Sequence, residues 1–79
     1  MESAAEEPEI GKYRHFKGGI YEVIAIALDC ENPERKMVIY KSLYDNGNFP
    51  IGTVWKRELI DFVGFKETDG GKVKRFEKI

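Results

Sequence analysis

A small all-β fold is what this sequence predicts, and three observations carry the prediction. Apolar residues gather in short runs rich in β-branched and aromatic side chains, IYEVIAIAL at residues 20–28 and KMVIYKSL at 36–43, which favours strands over helices. Clusters of Gly, Pro, Asn and Asp separate these runs at short intervals. Helical spacing occurs only in RELIDF, residues 57–62, which is about one turn long.

Taken in order, residues 1–9, MESAAEEPE, carry acids, small residues and a proline but only one apolar anchor, and are expected to form a disordered acidic arm. Residues 10–79 are expected to form a single domain. The corner HFKGG, residues 15–19, resembles a phosphate-binding loop only loosely: it lacks the longer glycine spacing, and a strand follows it instead of a helix. It is better explained as a turn in which Gly18 or Gly19 takes positive φ. In the strand from Ile20 to Leu28, strict alternation puts Tyr21, Val23, Ala25 and Ala27 on one face and Ile20, Glu22, Ile24, Ile26 and Leu28 on the other. Both faces are largely apolar, as in a central strand covered on both sides or one buried in an oligomer contact. DCENPER, residues 29–35, is expected to be a hairpin loop, and Lys36 to Leu43 the returning strand with Val38 and Tyr40 on one face. Asp45-Asn46-Gly47-Asn48 signals a chain reversal, Thr53 to Lys56 a short strand, and Leu59 with Phe62 the buried side of the helical turn. Asp69-Gly70-Gly71 then divides a closing hairpin. Five or six short strands and one helical turn favour a strongly bent sheet closed into a barrel, because closure removes exposed edges. An SH3-like barrel is expected, with an OB-like barrel as the alternative.

The chain has 79 residues, with one Trp, four Tyr and five Phe, enough large rings to build one core without metal or disulfide staples. Cys30 is the sole cysteine, which excludes an internal disulfide and a cysteine-based zinc site and fits a reducing, cytoplasmic setting. No run is long and apolar enough to span a bilayer, and no signal-peptide pattern opens the chain, so no membrane partner is expected. Formal charge is −1, but Glu2, Glu6, Glu7 and Glu9 sit without basic partners in the first ten residues; setting them aside leaves about +3. That excess permits nucleic-acid binding without demanding it.

His15 is the only histidine, so histidine pairs and histidine-rich metal sites are excluded. A lone imidazole still serves as acid or base near neutral pH, and Arg14 and Lys17 beside it favour its neutral form; the plainer reading is a ring packed by Phe16 and bonded to backbone. Cys30 stands between Asp29 and Glu31, whose charges oppose thiolate formation. Asp29, Glu31 and Glu34 lack the ligand spacing and central glycine of a calcium loop. Aromatic and basic residues interleave in YRHFK, YK, WKR and KRF. A stacking platform for single strands has this pattern, as does any strand with one face in the core. Trp55 and Arg57, two apart, would share a face and set a guanidinium beside an indole.

With Gly11, Tyr13, His15, Lys17, Gly18, Tyr21, Val23, Ala27, Val38, Tyr40, Trp55, Arg57, Arg75 and Phe76 in their observed order, the chain resembles the bacterial domain-of-unknown-function family numbered 1653 over residues 11–79. It departs from that pattern at Leu28, Asp29 and Cys30, where members carry a basic residue, a histidine and a hydroxyl residue before the glutamate, and at Glu58, where proline is common. The resemblance implies a small β-barrel domain and no known activity. It also singles out His15, Lys17, Arg57 and Arg75 as polar residues that packing does not obviously require.

The functional expectation is a non-enzymatic binding module for an anionic ligand: a nucleotide, a short nucleic acid or an acidic peptide. Tyr40 and Trp55 would give flat contact surfaces, Arg57 and Arg75 would pair with phosphate or carboxylate, and His15 with Lys17 would complete the rim. No cofactor or metal is called for. The alternatives are a small hydrolase or transferase with His15 as general base, and a homodimer subunit joined through one face of the Ile20–Leu28 strand.

Overall fold

The computed structural model of the chain describes residues 7–79. Seven strands and one short helix follow in the order β1 (Gly11–His15), β2 (Ile20–Asp29), β3 (Asn32–Ser42), β4 (Val54–Glu58), α1 (Leu59–Phe62), β5 (Phe65–Thr68), β6 (Gly71–Lys74) and β7 (Phe76–Lys78). An antiparallel sheet runs β4-β3-β2-β1-β7, and β5 with β6 forms a separate two-stranded hairpin. The all-β class stands, but the expected barrel closure does not: β4 and β7 are the two edges of an open sheet, with no ladder between them. The physical reason lies in α1 and the β5–β6 hairpin, which occupy the chain between the two edge strands and leave β7 to pair only with β1.

One face of the curled sheet carries the core. Tyr13, Val23, Val38, Tyr40, Leu59, Phe62 and Phe76 are buried together, with Tyr21, Ile26, Trp55 and Val63 packed against them. The Leu59/Phe62 spacing works as expected, placing both residues of α1 on the sheet. Phe62 stacks on Phe76, ring centroids 4.1 Å apart and planes 7° from parallel, and meets Tyr13 and Tyr40 edge-on at 5.4 Å. Such contacts among large rings concentrate burial in few residues, which suits a chain of this size.

Strict alternation fails in β2. The ladder to β3 pairs Val23 with Tyr40 and then Ala25 with Ile39, so Ile24 is an extra residue on β2. A bulge of one residue inverts facing beyond it. Val23 and Ile26 therefore share the core side, while Ala25 and Ala27, expected beside Val23, turn outward and Ile24 is left 40% exposed. A second irregularity shortens the expected loop 29–35. Lys36 pairs with Leu28 and Asn32 with Asp29, so Pro33, Glu34 and Arg35 bulge from β3, and only Cys30 and Glu31 lie between the two strands. Pro33 is tolerated because the bulge asks no ladder hydrogen bond of it. The Asp29 carboxylate caps this turn by accepting the Glu31 N–H at 2.9 Å.

The expected turn at 45–48 forms as such: Asp45 accepts the Gly47 N–H, Asn46 accepts those of Asn48 and Phe49, and Gly47 has φ of 91°. KVKRFEKI is not one strand, because Arg75 breaks it. Its N–H bonds Gly64 O and its carbonyl accepts the Phe16 N–H, which turns the chain from the hairpin into β7. Of the arm expected over residues 1–9, residues 1–6 lie outside the described residues. Glu7 pairs with Lys36, and the Glu9 carbonyl accepts a hydrogen bond from the Tyr13 hydroxyl at 2.8 Å.

Candidate anion-binding mouth

The corner HFKGG is a tight turn. His15 N–H bonds Gly19 O at 2.8 Å, Gly18 N–H returns to His15 O at 2.7 Å, and Gly18 takes φ of 106°. Gly19 serves a different need: a Cβ there would lie 2.5 Å from the Tyr44 ring, so only glycine lets that ring close over the turn. Tyr44 and Tyr21 then share a hydroxyl hydrogen bond of 3.0 Å. Burial, together with the Tyr44 partner, pushes the Tyr21 hydroxyl up to about 12.

His15 ends β1 half-buried, its ring 4.9 Å from Phe76 edge-on, 4.5 Å from Phe16 and 6.3 Å from Tyr21. The Lys17 backbone N–H donates to its Nδ1 at 3.1 Å, which requires that nitrogen to be unprotonated and leaves the ring proton on Nε2. Burial lowers the His15 pKa, and the charges of Arg57, Arg75 and Lys17 lower it further. Three cations thus act on one neutral imidazole whose free nitrogen is a donor.

Both arginines are anchored through Nε. Arg57 of β4 donates to the Tyr40 hydroxyl at 3.2 Å, and its guanidinium lies 5.7 Å from the Phe76 ring centroid. Arg75 donates to the Asp61 carbonyl at 3.2 Å. Fixing a guanidinium by Nε leaves its two terminal NH₂ groups, the fork that matches carboxylate and phosphate, for another partner. Among the described residues neither arginine, nor Lys17, has a carboxylate at ion-pair distance; the acids Asp29, Glu58, Glu7 and Glu22 pair instead with Arg35, Lys36 and Lys41.

Of the six residues picked from sequence, the structure therefore gathers His15, Tyr40 and Arg57 around Phe76, and sets Arg75 where its charge acts on His15. Tyr40 is buried and serves as the acceptor that positions Arg57. Lys17 stands exposed at the rim, its ammonium 5.9 Å from the Phe16 centroid. Trp55 faces the same side of β4 but is held elsewhere, donating from Nε1 to Ser42 Oγ at 3.0 Å and packing on Phe49 at 4.9 Å. Sequence reasoning missed Tyr21, Tyr44 and Phe76 as parts of this mouth. Tyr21 was readable as facing with Val23; Tyr44 lies beyond the end of β3, where no periodicity fixes the direction of a side chain.

Fold and site together define a small, open-sheet β domain in which the charges of two arginines act on one histidine beside an aromatic cluster. The chain belongs to the family described as protein of unknown function (DUF1653), which matches residues 11–78. It is also similar to a crystal structure of a protein of this family from Bordetella bronchiseptica, with 28% identity and a TM-score of 0.75 over 90% of this chain and 86% of that one. No curated protein matches the chain.

Proposed function

We propose that this domain is a binding module for a ligand bearing an oxyanion, phosphate or carboxylate, held in the mouth formed by His15, Arg57 and Arg75. The observation that carries the reading is the pair of guanidiniums, each tied down by Nε with its fork uncommitted, beside an imidazole that offers Nε2–H. An oxyanion there would accept bidentate hydrogen bonds from the arginines and one from His15, and it would relieve the repulsion among the gathered cations. Tyr40 and Phe76 give the mouth a rigid floor, and Lys17 adds a mobile charge at the rim. Nucleotides, nucleic-acid ends and acidic peptides all present such a group.

His15 enters as a donor. Its Nδ1 lone pair already accepts the Lys17 N–H, so a general base would have to be sought at a nitrogen that carries the proton, which favours binding over hydrolysis. Titration of inorganic phosphate, followed by NMR at the His15 ring and by calorimetry, tests the proposal. Shifts at His15 that vanish in Arg57→Gln and Arg75→Gln are expected; an unresponsive wild-type ring would remove the reading.

Self-association is the second reading, and the outward face of β2 and β4 favours it, since Ile24, Ala25 and Val54 are exposed side chains of that region. Light scattering at high protein concentration separates the two: a monomeric mass would leave only ligand binding.

A further inference from the structure

Beside His15, residues of the β5–β6 hairpin and of β1 and β7 line an open groove of about 560 Å³. We propose that this groove binds single-stranded nucleic acid. The site goes beyond the oxyanion mouth, with which it shares only His15.

Its lining has two chemistries. Phe16, Phe65 and Val73 supply the apolar wall, and Arg14, Lys72 and Lys74 supply cations, against the single acid Glu77. Every residue of β5 and β6 is exposed, so Phe65, at 59% exposure, adds nothing to the core; its ring is an open aromatic surface on a hairpin that carries Lys66, Lys72 and Lys74 against Glu67 and Asp69. Among the described residues none of the three cations has a carboxylate at ion-pair distance, although Arg14 lies opposite Glu77 in the β1–β7 ladder and Lys72 opposite Glu67 in the β5–β6 ladder. An unpaired base offers a flat face to Phe65 while its flanking phosphates meet Lys72, Lys74 and Arg14, the combination by which single strands are held without sequence preference. Duplexes keep their bases stacked and give the ring nothing to cover, and an acidic peptide satisfies the cations but not the ring.

The test is fluorescence anisotropy with a labelled oligothymidylate of about twelve nucleotides at about 50 mM salt and neutral pH. Binding is expected, with Phe65→Ala weakening it about fivefold or more. Phe65→Leu, which keeps apolar bulk without a π-face, should weaken it too, and both variants should melt like the wild type, which excludes a folding defect as the cause. Three phosphate contacts predict a log–log salt slope of about −2, falling to about −0.7 when Lys72 and Lys74 are both changed to Gln. Phe65→Ala should leave the phosphate response of the mouth intact while weakening oligothymidylate binding, which separates failure of this site from failure of the other. No binding by the wild type, or equal binding by Phe65→Ala, would overturn the proposal. Equal displacement by oligoglutamate would overturn it in favour of an acidic peptide, and equal loss in Arg57→Gln would place the strand in the mouth.

Discussion

Arg57 and Phe76 meet across the open side of the sheet, the guanidinium carbon 5.7 Å from the ring centroid, although β4 and β7 share no backbone hydrogen bond. The contact does with side chains what barrel closure would do with a ladder. Phe76 in turn rests on Phe62 of α1, so one ring links the helix, the last strand and the cationic mouth.

Arg57 should therefore matter to stability as well as to ligand binding. Arg57→Ala removes a hydrogen bond to a buried tyrosine hydroxyl and a cation–π contact, together about 1–3 kcal/mol. Urea denaturation is expected to show that loss, and Arg57→Lys should recover part of the stability but little of the phosphate binding, because an ammonium has no fork. Full phosphate binding by the lysine variant would show that charge alone suffices.

Folding stability should depend on pH through His15. Its folded-state pKa is lowered by burial and then by Arg57, Arg75 and Lys17, so the unfolded chain takes up the proton more readily than the native one. The associated stability is fully present above the unfolded value of about 6.5 and is lost as pH falls below it toward the folded value. Denaturation at pH 7.5 and pH 5 should show a larger acid loss for the wild type than for His15→Gln. Saturating phosphate should shrink the difference by raising the folded-state pKa; parallel losses in both proteins would mean that carboxylates alone set the slope.

Phe62→Ala should be the most damaging single truncation in the core. The residue is 1% exposed and contacts Tyr13, Tyr40 and Phe76. A cost of about 3–5 kcal/mol is expected, against a total of about 5–15 kcal/mol for an ordinary domain. Circular dichroism melts should show a large drop in midpoint or no cooperative transition, whereas Phe65→Ala, outside the core, should melt like the wild type.

The two glycines of the corner should fail for different reasons. Gly18→Ala meets open space but must hold φ of 106°, so a cost of about 1–2 kcal/mol is expected with the mouth unchanged. Gly19→Ala drives a methyl group into the Tyr44 ring and should break the Tyr21–Tyr44 bond. Ultraviolet titration should then find the Tyr21 hydroxyl ionising below its value of about 12. An unchanged tyrosine titration in Gly19→Ala would show that Tyr44 moves aside at no cost to the pair.

Local chemistry carried much of the architecture. The β-branched runs became β2 and β3, Asp45–Asn48 and Asp69–Gly71 became reversals, Gly18 took positive φ, and Leu59 with Phe62 buried one turn of helix. These features depend on neighbours a few residues apart, so the order of residues alone determines them. Three others depend on which distant segments meet. The bulge at Ile24 reverses the facing of β2 because the register with β3 demands it, and no residue type in IYEVIAIAL announces the position. The sheet stays open because β7, reached only after α1 and the β5–β6 hairpin, pairs with β1 and not with β4. Arg57 lies over Phe76 and within the field of His15, a convergence of residues some forty and sixty positions from His15 that tertiary packing alone decides.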